Sequence, residues 1–105
     1  MEKIKMYILV KESAPVDKAM VSVAHASLAG YLKWKDDEVV KAWVEGIFYK
    51  VVCKVNDKEF ELAKRVEDGL AITESSLDNQ EVAMVFKPRI EEEWPKGFRH
   101  YRLYK

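Results

Sequence analysis

The stretch Met6-Tyr7-Ile8-Leu9-Val10 decides the fold. A run that is apolar throughout has no solvent face to offer. It suits a central strand covered on both sides. The residues after it turn the chain. Glu12 to Pro15 leads out of the strand, with Ser13 or Ala14 at the cap position and Pro15 at the first helical position, where its missing N–H costs nothing. From there Val16, Met20, Val23, Ser27 and Tyr31 recur at spacings of three or four, and Val21, His25, Leu28 and Leu32 fill the adjacent stripe. A helix with so broad an apolar face is expected to bury it against a sheet. Its middle, Ala24, Ala26, Ala29 and Gly30, is small, which lets it approach a sheet or another helix closely.

Further along, Asp36 and Asp37 cap a second helix with Val39, Val40, Trp43 and Val44 on its inner face, and Gly46 reads as a left-handed stop. Ile47 to Val55 is rich in β-branched and aromatic residues and reads as a strand. Asn56 or Asp57 opens a third helix anchored by Phe60, Leu62, Ala63 and Val66, with Gly69 ending it. Leu70 to Thr73 is a short strand, Glu74 to Gln80 a polar turn, and Val82 to Phe86 a last strand closed by Pro88. The order is β-α-α-β-α-β-β. Helical returns between strands favour parallel pairing, and the short final connection favours an antiparallel hairpin. The expectation is an α/β protein: a single mixed four-stranded sheet with helices on both faces, forming one domain over residues 1–105.

Composition narrows the function. The chain has 105 residues, 18 Lys+Arg and 18 Asp+Glu, so its formal net charge is zero, whereas a dedicated nucleic-acid binder usually carries positive charge. With 49% hydrophobic and 34% charged residues the composition is that of a globular chain. No apolar run approaches the roughly 20 residues of a bilayer span, and the opening run is too short for a signal-peptide core. A cytoplasmic protein with no membrane partner is expected. The single Cys53 excludes an internal disulfide, no Cys/His cluster suggests zinc, and no metal or other cofactor is expected.

Lys18 is the most informative charged residue. It falls in the first turn of the first helix, beyond the end of the first strand, where free helix N–H groups and an ammonium make a place for phosphate or carboxylate. Against that stands a solvated lysine neutralised by neighbouring Asp17. His25, among alanines, reads as a packed, hydrogen-bonded core histidine before it reads as a base. Cys53, inside an apolar strand, reads as an inert core thiol. In the loop Glu74-Ser75-Ser76 to Asp78, an acid could orient a water or hold Lys18; an ordinary turn is the alternative. The tail Lys96, Phe98, Arg99, His100, Tyr101, Arg102, Tyr104 mixes cations with aromatics, which suits stacking and phosphate contact but equally suits covering a sheet flank or a dimer seam.

Taken in order, these segments resemble the type 2 peptidyl-tRNA hydrolase family. MYILVK (residues 6–11) is similar to its opening strand, VAHASLAGYLK (23–33) to its Gln-Cys-x-His-Ala-Ala-x-x-Ala-Tyr helix, and HYRLYK (100–105) to its terminal His-Leu-Lys-Leu-Tyr. VKAWVEGIFYKVVCKV (40–55) resembles its Trp, Gly and Lys-Val-Val-x-Lys segment, with Trp43 and Lys50 at matching separation. The resemblance implies a mixed four-stranded sheet with helices on both faces, and a metal-independent hydrolase that cleaves the ester joining a peptide to the terminal ribose of tRNA. At the family's Gly-Lys-Gly-Lys-x-Ala-x-Gln, residues 15–22 place Lys18 on the second lysine and Ser22 on the glutamine, while Val16 replaces the first lysine and both glycines are gone. TESSLDNQE (73–81) is shorter than the family's Asp-Ala-Gly-x-Thr-Gln loop and keeps neither threonine of that region; Glu74 falls near its aspartate.

The resemblance thus implies Lys18 and Glu74 as catalytic residues: Lys18 holding phosphate or the forming oxyanion, Glu74 orienting water. Ser22, Lys96, Arg99 and Arg102 are the candidate binding residues for a tRNA acceptor end or another anionic ligand. The alternative is a catalytically silent domain of the same fold that binds a partner, or itself as a homodimer.

Overall fold

The computed structural model describes residues 3–105. The apolar run is the middle of β1 (Ile4–Lys11), an interior strand. It is followed by α1 (Val16–Trp34), α2 (Glu38–Glu45), β2 (Tyr49–Val55), α3 (Asp57–Ala63), β3 (Gly69–Glu74), β4 (Gln80–Phe86), β5 (Arg89–Ile90) and β6 (Arg102–Leu103). Strands lie in the order β3-β4-β1-β2-β6, with β5 paired to the start of β1. β1 and β2 run parallel from Lys5 opposite Tyr49 to Lys11 opposite Val55, and β4 is antiparallel to both β1 and β3. The chain is therefore α/β with a mixed sheet, its parallel pair made across the α1–α2 return and its hairpin at the end. The strand count differs from four: β5 and β6 add two residues each, too few to show any alternation in sequence.

Side chains of β1 alternate between two cores. Met6, Ile8 and Val10 face α1 and α2, together with Trp43, Ile72 and Val85. Tyr7 and Leu9 face α3 and the tail, together with Phe60, Met84, Phe86, Trp94 and Phe98. Both faces being covered is the reason the run contains no polar residue.

The inner face of α1 is not the one its large residues suggest. Ala19, Ser22, Ala26 and Gly30 are buried, whereas Val16, Met20, Val21, Leu28 and Leu32 are all more than half exposed. At 100° per residue the helix is apolar almost all round, so periodicity could not choose a face. Distance of approach chose it. A Cβ added at Gly30 would lie 3.0 Å from Val85 Cγ2 and 3.2 Å from Met6 Cε, so only small side chains fit beneath this helix.

Termini shift as well. Pro15 is the residue before the helix, with ψ 147°, and Val16 is the first helical residue; no side chain caps this end. Asp37 caps α2 by accepting from the Val39 and Val40 N–H groups, and Asn56 caps α3 in a reciprocal box with Glu59. Gly46 has φ −94° and is not left-handed. The left-handed residue is Phe48, φ 66°, whose ring lies 4.5 Å from that of Trp43. Strand β2 consequently starts at Tyr49, leaving Ile47 and Phe48 outside it. Helix α3 stops at Ala63, six residues before Gly69, and Leu62 is half exposed.

The aromatic tail covers the sheet rather than leaving it. Phe98 is buried and its ring stands 5.2 Å from Tyr7, 5.0 Å from Phe86 and 5.1 Å from Trp94. The chain then crosses the β2 edge, where the Tyr104 N–H donates to the Val52 carbonyl, so Tyr101 packs against the second core and Tyr104 against the first.

Candidate functional site

The carboxyl ends of β1 and β3 and the amino end of α1 meet at one end of the sheet. Glu74 is the last residue of β3. Leu70 and Ile72 pack into the α1-side core, and alternation along the strand puts Glu74 on the same side. A register shift between Ile72 and Thr73, where β4 carries one extra residue, sets this end of the hairpin. It also explains why the consecutive Val82 and Ala83 both belong to the α1-side core.

Glu74 Oε1 accepts from the Ser76 hydroxyl at 2.7 Å and the Ser76 N–H at 3.2 Å, capping the 3-10 turn Ser75–Leu77. Those bonds, the hydroxyl first, hold the carboxyl below the ordinary glutamate range, and Lys18 and His25 act on it electrostatically in the same direction. Lys18 and His25 are seven residues apart on one flank of α1, with Ser22 between them. Among the described residues no ion pair within 4 Å joins Glu74 to Lys18.

His25 is exposed. The expectation of a packed core histidine is overturned because the buried face of α1 is the small-residue stripe, and His25 lies off it beside Glu74. Sequence spacing held the signal, since positions 18, 22 and 25 share one side of a helix. What it lacked was which side the sheet would take.

The other candidate residues are dispersed. Ser22 is 1% exposed at the helix–sheet interface, and its hydroxyl has no hydrogen-bond partner. Lys96 and Arg99 belong to the 3-10 turn Lys96–His100, on the side of the sheet away from α1, where Arg99 borders a cleft with Lys5, Tyr7 and Glu91. Arg102 bonds Glu12 at 2.7 Å and lies 4.0 Å from Glu59, so its charge is already answered within the fold. The cavities between α1 and β2, around Trp43 and Phe48, and beside Arg99 are lined by neither Lys18 nor Glu74. Cys53 is buried in β2, and burial pushes its thiol up to about 11, as an inert core thiol requires.

Among the described residues no three His, Cys, Asp or Glu side chains converge to hold a metal, and no helix is long and apolar enough to cross a membrane. The chain matches no protein-family model and no curated protein.

Proposed function

We propose that this chain is a divergent peptidyl-tRNA hydrolase type 2-like protein, acting on the ester of a peptidyl-tRNA or a related acyl ester at the Lys18–Glu74 end of the sheet. The observation that carries the reading is Glu74 standing in the electrostatic reach of both Lys18 and His25. Ester hydrolysis needs a positioned water and charge to meet the developing oxyanion. Glu74 is held ionised by Ser76, so it is too weak a base to take a proton efficiently at neutral pH, and its role is to accept a hydrogen bond from water and orient it. Lys18, half-buried near the uncapped start of α1, supplies the positive charge for phosphate or oxyanion. His25 extends this basic flank along the helix.

Turnover of an N-blocked aminoacyl-tRNA tests the reading. Wild type should exceed the uncatalysed rate, and Lys18→Ala and Glu74→Gln should each lower turnover by about 10²-fold. Because Glu74 stays ionised, the rate should hold as pH falls from neutral and decline only below the ordinary glutamate pKa, about 4.3. Rates equal to the buffer control would leave the second reading: a catalytically silent domain of the same fold that binds a partner. That reading draws on the sealed Ser22.

A further inference from the structure

The outward face of α1 is a continuous apolar stripe. Met20, Val21, Ala24, Leu28 and Leu32 fall within about a third of the helix circumference, opposite the buried Ala19, Ser22, Ala26 and Gly30. Met20 is 68% exposed and Leu28 60%. Beside the stripe an apolar cleft of about 410 Å³ opens between α1 and the β2 edge, with Val52 and Tyr104 as its far wall. A helix apolar on both its faces is normally buried on both, yet among the described residues nothing covers the outer one.

The stripe is complementary to itself. Two copies of α1 laid antiparallel, with a two-fold axis at the height of residue 26, bring Ala24 opposite Leu28 at the centre of the seam and Val21 beside Leu32 on its flank. The large-against-small match at the centre permits close approach of the two backbones. The same register brings Asp17, in the first turn, opposite Lys35 at the end of the helix, so unlike charges meet at both ends of the pair. The two helix dipoles also run opposed. A parallel arrangement would instead stack Asp17 on Asp17 and Leu28 on Leu28.

From this we infer that α1 is a homodimer interface, its occupant the α1 helix of a second copy packed antiparallel. The surface is distinct from Phe98 and Tyr101, which are spent within the fold, and meets the tail at Tyr104 in the cleft. It is also distinct from the Lys18–His25 flank, which stays open to ligand. A helix of 19 residues is about 28 Å long, and one such pair with the adjoining cleft buries less than the roughly 800 Å² per partner of a standard interface. The dimer should therefore be reversible, with dissociation in the micromolar range.

Sedimentation velocity across a concentration series tests this, with far-ultraviolet circular dichroism confirming that each variant stays folded. Wild type should pass from monomer to dimer. Leu28→Glu, at an exposed position, should raise Kd at least about tenfold without lowering the melting temperature of the monomer. Asp17→Lys should weaken association about two- to fivefold, and adding Lys35→Asp to it should restore wild-type affinity. Orientation is read by cross-linking: a mixture of Ala24→Cys and Leu28→Cys proteins should give the mixed disulfide in excess, with the buried Cys53 silent. A wild type that is monomeric throughout, a dimer indifferent to Leu28→Glu, or same-site disulfides in excess would each overturn the inference. So would binding of the monomer to phosphatidylcholine vesicles through this face, which would assign it to lipid.

Discussion

The two faces of the sheet are closed by different means. On one, a long helix lies almost in contact with the strands through Ala19, Ala26 and Gly30, while its Val16, Met20, Val21, Leu28 and Leu32 point outward. On the other, a short helix and an irregular tail bring large rings together: Tyr7, Phe86, Trp94 and Phe98 meet edge-on or tilted at 4.7–6.3 Å. The first face gains its fit from closeness of backbone, the second from volume of side chain. Each is accordingly vulnerable to the opposite kind of change.

The largest effect should come from emptying the aromatic face. Phe98→Ala removes a buried ring that touches four others, and should lower unfolding free energy by about 3–5 kcal/mol in urea titration. The helical face should instead fail by filling. Ala26→Leu, at a position with no exposure, should cost about 1–3 kcal/mol, while Leu28→Ala, two residues away but outward, should stay within about 0.5 kcal/mol in dilute solution. Equal losses from those two variants, measured by thermal melts, would mean the faces of α1 have been exchanged.

Next in size is the cap of α2. Asp37→Ala should cost about 1 kcal/mol, since it frees two helix N–H groups and the Lys87 ion pair at 3.3 Å. Burial by itself would raise the pKa of this carboxyl, but bonds from Val39, Lys87 and Val40 outweigh it and leave the pKa lowered. Its stabilising effect is therefore complete above the ordinary aspartate pKa of about 3.9, and fades as pH falls through the lower folded value. An acid titration of Asp37→Ala should lack that component. The smallest change should be Ser22→Ala. Removing a buried hydroxyl without a partner should leave stability unchanged or raise it by up to about 1 kcal/mol, visible as a small shift in denaturation midpoint.

What the sequence disclosed follows the same division. β1, the parallel β1–β2 pair and the terminal hairpin were legible because unbroken apolar runs and short connections have few alternatives. The face of α1 was not, because pattern reading weighs Val16, Met20, Val21 and Leu28 above the small residues by size, whereas the packing rewards their absence. Gly46 misled for a related reason: glycine adopts a left-handed turn most easily, yet the turn fell on Phe48, where Trp43 offers a ring to pack against. At the candidate site, the placing of Glu74 at the same end of the sheet as Lys18 depended on β3 and β1 running the same way on either side of β4, a long-range fact that only their polar character hinted at. The cations of the tail could be counted but not placed, since Arg102 turns to Glu12, a residue 90 positions earlier.

The sole cysteine gives the fold an internal clock. With burial pushing its thiol up to about 11, Cys53 stays protonated at neutral pH, and the chain packed around it bars an alkylating reagent. Modification must wait until the layer of α3 and the tail lifts from the sheet. With a reagent fast enough to outpace reclosing, the speed of labelling therefore counts openings of that one face, in a protein that needs no engineered probe to report them.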